Sequence, residues 1–599
     1  LALVQVTTYV TQKRMPEDSY FSKYFRLVDY KSEKEKEDEF LNDRNNQHIT
    51  TQSNFSKIPG SPIAYWTSST YIKLFESSRL LRSLVTTKQG LKSSDDKRFF
   101  RLWYEINLNL INWEADSRNT SLSSSLKWIP LNKGGNTKWF GENNFVINWE
   151  NNGFEIKDFA RQLYKSVTRT ITSIDYYFVE SITWPQVTSL GNGFRFNPKG
   201  SIFSSASPSM FLKTHNDLLY VLGLLNTKVV NRVANILNPT INLLVSDLLN
   251  VPYIFSSSYN HLILGLVNTC IALAKKDWDS YETSWDFERH PLMKYLVDDE
   301  GKKIGLVSTS FGMWSEFAKK QFYQLKGNEE ELNRIFIEIY GLQDELTPEV
   351  EEKDVTVRKA DLGRDIRSFV SYAVGCLFGR YSLDVDGLAY AGGEWDTSKY
   401  KTILPDDDNI IPISDEAYFE DDLLSRFVEF VRVVYGSDTL EENLEFIANA
   451  LGTKGTSARD AIRNYLLNDF YKDHVKIYQK RPIYWLFDSG KQNGFKALIY
   501  MHRYNQDTLA KMRIDYVHRT QEHYRNEIVH LSDMMDRSEN QKDRVRFGKE
   551  IEKLKAKEDE LLRYEQILHH VADQRIAIDL DDGVVVNYAK FDGLVSKIK

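Results

Sequence analysis

Residues 508–572 contain no proline and a single glycine, Gly548. Apolar residues recur there at helical spacing through Leu509, Met512, Val517 and Ile528, then Val545, Ile551, Leu554, Leu561, Leu562 and Ile567. Steps of three and four residues gather side chains on one face of an α-helix. Ser538-Glu-Asn interrupts the pattern, so the stretch predicts two long antiparallel helices packed as a coiled-coil hairpin. Such an element is a spacer or docking arm and carries no chemistry of its own.

The chain ahead of it changes character several times. The first 55 residues read as a strand-like opening, Leu1–Val6, and a charged helix over Lys31–Asn42 whose charges form a solvated face. Asn42–Asn54 reads as a linker or loop. From Lys57 to Ser256, short aromatic and β-branched runs alternate with Gly, Asn and Ser turns, as in Phe145-Val-Ile-Asn-Trp-Glu-Asn-Asn-Gly, Ile182-Thr-Trp and Gly191-Asn-Gly-Phe-Arg-Phe. These are strand and hairpin signals. The stretch closes on one apolar helix, Leu218–Leu237, stopped by Pro239. Residues 257–370 read as mostly helical, with an amphipathic helix at Glu329–Tyr340. Residues 364–487 are mixed: an apolar helix at Ser368–Phe378, then Gly- and Asp-rich loops at Gly387–Asp396 and Pro405–Asn409. The expected class is α+β: a β-rich module at 57–256, a mostly helical region at 257–507, and the hairpin with a strand-like tail at 508–599, after a 1–56 lead-in.

Charge separates these parts. The 599 residues carry a net −7, yet residues 57–256 hold 22 Lys and Arg against 14 Asp and Glu, leaving −15 for the rest. A basic, turn-rich module inside an acidic chain points to an anionic partner. With 42% apolar and 27% charged residues, the chain is neither disordered nor low in complexity. Its two cysteines, Cys270 and Cys376, sit in apolar surroundings and suit a reducing, cytoplasmic setting. No apolar run approaches the ~18 residues of a membrane span.

Familiar catalytic patterns are missing from the string. His518, His523, His530 and the pair His569-His570 lack metal-ligand spacing. There is no GxxxxGK[ST] loop. Asp384-Val-Asp-Gly and Asp406-Asp-Asp lack the spacing and closing Glu of a calcium loop. Pro405-Asp406 opens like a PD-(D/E)xK nuclease, but no ExK follows on a strand. Amino-methyltransferases acting on adenine need a [DNS]-P-P-[YFW] turn that holds the exocyclic amine and stacks on the flipped base. The nearest strings, Asn197-Pro-Lys and Asn238-Pro-Thr, have neither the second Pro nor the aromatic.

At Ile58-Pro-Gly-Ser-Pro-Ile-Ala-Tyr-Trp-Thr-Ser the chain nonetheless resembles the PglX family, the adenine-specific DNA methyltransferases of BREX phage-defence systems. The likeness continues through Lys88–Glu105 (KQGLKSSDDKRFFRLWYE), Asn226–Tyr253, Asp277–Leu292, Ser371–Tyr381 (SYAVGCLFGRY), Leu388–Asp396 (LAYAGGEWD), Arg481–Tyr504 and Asp579–Lys590 (DLDDGVVVNYAK). The resemblance implies an S-adenosylmethionine-dependent catalytic domain, then a target-recognition domain and a helical C-terminal region. This chain opens without Met and without the catalytic turn. The expectation is that it begins at the tail of the catalytic domain, that 57–256 is the recognition domain, and that S-adenosylmethionine is bound upstream rather than within these residues.

The expected partners are double-stranded DNA, the catalytic domain, and other BREX proteins. Phosphate-contact candidates are Lys88, Lys92, Lys97, Arg98 and Arg101 near the entry to the module, with Gln89 as a base-edge reader. Lys133, Lys138, Arg195 and Lys199 are expected on turns that reach a groove, and the interleaved Trp, Phe and Tyr residues suit base stacking. Asn238 and Thr240 read as structural caps. The competing reading is an assembly scaffold, its acidic C-terminal half binding other proteins and no residue reading DNA.

Overall fold

The computed structural model describes all residues except 1–7, 14–16, 18–19, 43–46, 187–192, 239–243, 298–299, 417 and 599. The opening strand-like run, the Gly191-Asn192 half of one expected turn, Pro239 and Thr240 thus lie outside the described residues. Helices α1 (Glu33–Leu41) and strands β1 (Phe21–Phe25) and β2 (Gln47–Thr51) form the lead-in. Ser32 and Glu35 close a capping box on α1, which buries no residue, as a solvated charge run should. The expected loop at 42–54 instead contains β2. Its β-branched Ile49, Thr50 and Thr51 pair antiparallel with Lys23, Ser22 and Phe21.

The β-rich part carries β3 (Thr86–Lys88), β4 (Phe100–Leu102), β5 (Trp128–Asn132), β6 (Phe145–Asn148), β7 (Ser181–Thr183), β8 (Arg195–Asn197), β9 (Ile202–Phe203) and β10 (Ser209–Phe211). They form two four-stranded sheets, in the orders β9-β5-β6-β4 and β3-β10-β7-β8. All pairings are antiparallel except β9 with β5. Helix α2 (Glu150–Tyr164) packs Ile156 and Ala160 onto the first sheet, in a core with Phe99, Ile129, Ile147, Trp149 and Phe203.

The single helix expected over Leu218–Leu237 is two: α3 (His215–Leu225) and α4 (Lys228–Leu237). The break at Asn226-Thr227 has tertiary causes. The Asn226 amide donates to the Phe194 carbonyl (3.0 Å) and accepts from the Phe194 N–H (3.1 Å), while Thr227 Oγ1 donates to Leu224 O (2.7 Å). Local periodicity cannot reveal a partner 32 residues away.

Helices α5 (Ser257–Trp278) and α6 (Val307–Ile339) follow. Ile263, Val267 and Cys270 of α5 and Leu325, Leu332 and Phe336 of α6 share one core with Leu222, Val230 and Val233. Residue 256 is therefore an element boundary with a continuous core across it. Helix α7 (Leu362–Leu377), capped by Asp361, is buried among α8 (Leu423–Tyr435), α9 (Leu440–Leu451), α10 (Ala458–Asn468) and α11 (Phe470–Ile477). The same core receives the sheet β11 (Ile411–Pro412), β12 (Tyr484–Asp488) and β13 (Lys496–Tyr500), in the order β11-β13-β12. It also receives Trp103, Tyr104 and Trp128 from the β-rich part.

The predicted hairpin is present as α12 (His518–Arg537) and α13 (Gln541–Asp573), turning where Asn540 caps α13. A π-helical turn, Met512–Val517, leads into α12. The hairpin base is fastened by Glu560, which accepts from Ser489 Oγ (2.8 Å), Gln492 N (2.9 Å) and Gly494 N (3.1 Å) in the β12–β13 turn. The tail is not strand-like: Gly583–Ala589 forms α14, and Val595 alone bridges to Phe487. Val584 alone of the Val run is buried; its N–H donates to Glu105 Oε2 (2.8 Å) and Asn587 donates to Gly583 O (3.0 Å), so tertiary contacts override the β-propensity of the run.

Candidate nucleic-acid interface

The sequence-nominated cations divide by where their charge is met. Arg195 is 2% exposed; its guanidinium donates to Glu142 and to Gly141 O, both at 3.1 Å. It begins β8 rather than standing on a turn. Lys138 lies against α6, its ammonium 2.9 Å from Glu329. Lys133 pairs with Asp96 at 2.6 Å above the Phe100 and Phe145 rings. Arg98 forks onto Glu155 at 2.7 and 2.8 Å. Arg101 donates to Asp581 O (3.0 Å), Lys97 O (2.6 Å) and Phe100 O (2.8 Å) and lies over Trp128. These five side chains are engaged within the fold. The expected stacking platforms behave likewise: Trp128 of β5, and Trp139, Trp149, Trp184 and Phe194 beside the strands, are buried in the hydrophobic cores.

The others face outward. Lys92, Lys97 and Lys199 are exposed, and among the described residues they form no ion pair. Lys88 ends β3 with its ammonium 4.9 Å from the centre of the Tyr176 ring. Gln89 stands at a cleft of about 450 Å³ that Gln186, Pro208, Leu244, Val245 and Ser246 also line. Asn238 donates to Asp247 Oδ2 at 2.9 Å, a capping role.

Two segments are stitched together beneath this surface. Lys92 N donates to Thr170 O (2.8 Å), Thr172 Oγ1 to Gly90 O (3.0 Å), Ser173 Oγ to Gln89 O (2.8 Å), and Tyr164 OH to Ser94 Oγ (3.1 Å). The loop 88–98 is thereby fixed along the C-terminal end of α2. That end adds two exposed cations the sequence reading did not nominate. Lys165 takes a left-handed conformation (φ 55°) as the C-cap, and Arg169 lies 4.9 Å over the Tyr164 ring. The signal was available as a basic cluster just past an amphipathic helix. At the other end of α2, Lys157 crosses Trp149 and its pKa falls to about 8, first through burial and then through repulsion from Arg118. The result is a cationic group, Lys92, Lys165 and Arg169, at the C-terminal end of α2; the helix spans about 15 Å from Phe154 to Tyr164 and carries Glu155 and Asp158 beside Lys157 and Arg161. Backbone and hydroxyl contacts hold the group in place, so its cations remain available to phosphate oxygens.

A doubly wound nucleotide site is built on a parallel sheet with a glycine-rich loop opening a helix. Among the described residues the only parallel strand pairing is the two-residue β9–β5 contact. No methyl-transfer role is assigned to any described residue.

Fold and cationic group together define a mixed α+β chain with a cationic face on its β-rich part. No family model matches it. Along nearly its whole length it is similar to the adenine-specific methyltransferase PglX of Lacticaseibacillus casei (strain Zhang), with 41% identity over 598 residues, 98% of this chain and 49% of that protein. It is also similar to the adenine-specific methyltransferase BrxX of Escherichia coli O9:H4 (strain HS), with 37% identity over 628 residues, 100% of this chain and 50% of that protein. The chain thus spans about half the length of the curated relatives it matches.

Proposed function

We propose that this chain is the DNA-reading and assembly part of a site-specific adenine N6-methyltransferase that uses S-adenosylmethionine in the intact protein and marks self DNA in BREX phage defence. The observation that carries the reading is the 41% identity maintained over 98% of the chain with a protein named for adenine methylation. The cationic group at the C-terminal end of α2 supplies a physical rationale. Lys88, Lys92, Lys97 and Lys199, with Lys165 and Arg169, hold phosphates and give a salt-dependent grip. Gln89, beside the cleft, offers an amide for a base edge, a contact of about 1–3 kcal/mol. The upstream catalytic domain performs the transfer on a flipped adenine.

Electrophoretic mobility shift of the full 599-residue chain on duplex DNA, repeated across a salt series, tests this. Affinity should fall steeply with salt, and a Lys92→Ala/Lys165→Ala/Arg169→Ala variant should lower the slope by about 2–3. A chain that binds no duplex at any salt, or a slope indifferent to the variant, refutes the reading. Point variants are the right tool, because truncation at residue 256 would strip α5 and α6 from a shared core.

The scaffold reading draws on the outer half of the hairpin, where Val529, Met534 and Val545 are 63, 40 and 50% exposed. Val529→Ser/Val545→Ser should then abolish co-purification with other BREX proteins while leaving duplex binding intact.

A further inference from the structure

Residues Asn151, Asn152 and Gly153 all adopt left-handed backbone angles, with φ of 51°, 61° and 68°. A non-glycine residue in that region is strained, and two in succession mark a conformation held by its surroundings. The surroundings are visible. Gly153 N donates to Trp149 O (3.0 Å), Glu150 N to Asn148 Oδ1 (3.2 Å), and Lys157 Nζ to Asn152 O. A Cβ on Gly153 would sit 2.7 Å from the Trp149 ring, so glycine is required for contact as well as for angle.

The turn delivers Phe154 to the surface, 66% exposed. An exposed aromatic ring forgoes the stabilisation that burial would give it. Two cations share this turn: Lys157 Nζ donates to Asn152 O, and the Arg118 charge acts on Lys157. Arg118 is exposed and forms no ion pair among the described residues. Lys157 is held near it without a carboxylate of its own. Arg98 reaches Glu155, the next residue. The nearby carboxylates are largely taken: Glu155 by Arg98 and Asn148, and Asp158 by Arg161 and Gln162; Glu150 is exposed on the same turn.

We propose that Phe154 is a wedge that stacks against a base step of duplex DNA, with Arg118 and Lys157 holding the flanking phosphates. An anionic partner answers the two like charges, and a flat π-face answers the ring; a nucleic acid provides both. The proposal rests on the DNA-binding reading and goes beyond it by naming the residue that enters the stack.

The test uses the full chain with duplexes carrying 2-aminopurine at successive positions, read by fluorescence and by mobility shift. Wild type should unstack and brighten the probe at one step. Phe154→Ala should abolish the brightening and weaken binding about 10-fold with an unchanged salt slope, and Phe154→Trp should restore both. Arg118→Ala should lower the slope by about 1 while keeping the brightening. Thermal melting of Phe154→Ala should match wild type, because the ring is exposed. Salt-dependent binding with no brightening at any position, or Phe154→Ala binding and brightening like wild type, overturns the wedge and leaves the cationic group standing. Absence of any duplex binding overturns both.

Discussion

Asp581 is one of the points at which the C-terminal tail is tied to the β-rich part, beside Val584 N donating to Glu105 Oε2 (2.8 Å), and removing its side chain has a calculable consequence. Its Oδ2 accepts from Lys127 Nζ at 2.8 Å and its Oδ1 from Trp128 Nε1 at 2.9 Å, while its backbone carbonyl accepts from Arg101 Nε at 3.0 Å. The pair with Lys127 is partly shielded, with side-chain exposures of 28% for the lysine and 14% for the aspartate. Lys127 can regain water when its partner goes, so that loss is about 1 kcal/mol. Trp128 is 1% exposed, so its indole N–H cannot, and an orphaned buried donor costs about 1–3 kcal/mol. Asp581→Ala should therefore destabilise by about 2–4 kcal/mol. Asp581→Asn keeps an acceptor for the indole and should cost about 1 kcal/mol. Urea unfolding followed by tryptophan fluorescence gives the two values, and hydrogen exchange across 579–590 locates the loosening. Equal losses in both variants would refute the indole argument. Unchanged exchange in Asp581→Ala would refute the joint itself.

Three further outcomes follow from the same kind of accounting. Glu329, 3% exposed on α6, accepts from Lys138 Nζ and from Trp139 Nε1 at 2.7 Å; Glu329→Ala leaves a nearly buried ammonium unpaired and should cost about 3–5 kcal/mol by urea unfolding. Glu560→Ala removes the acceptor for two backbone N–H groups and one hydroxyl at the hairpin base, and should speed hydrogen exchange in residues 489–495 about 10-fold or more. Burial pushes the Glu282 carboxyl up to about 7. Its protonated form favours the fold below about pH 4.5, and that stability is lost as pH rises toward 7. Relative to wild type, Glu282→Gln should therefore gain stability between pH 4.5 and 7, by about 3 kcal/mol in all, measured by melting at successive pH values.

What the string of residues revealed was what is local. The hairpin was legible because α12 and α13 take their pattern from each other, and the turn at Ser538–Asn540 needs only a capping Asn. The alternating runs around Phe145 and Ile182 were legible as strands for the same reason. The break at Asn226 was hidden because it depends on Phe194, and helix α14 was hidden because its start is fixed by Glu105, which accepts from Val584 N, and by burial of Val584 alone. At the candidate site, residue type identified cations but not their destinations. Arg195 and Lys199 lie four residues apart, one enclosed by Glu142 and the other in solvent. That difference is set by strand pairing, because β8 turns Arg195 toward the Gly134–Glu142 loop.

The net +8 of residues 57–256 therefore overstates what the module presents to a partner. Lys138 is neutralised by Glu329 and Lys127 by Asp581, both carboxylates from outside that stretch. The acidic remainder of the chain is thus partly spent on holding the basic module in position. Cations at the joints fix the module against α6 and the tail, and those at the C-terminal end of α2 remain for phosphate. A lost joint charge should weaken folding and leave the salt slope unchanged, whereas a lost charge of the cationic group should flatten the slope and leave folding unchanged. If Lys138→Met and Lys165→Ala shifted both quantities alike, the division between joint and cationic group would have no physical basis.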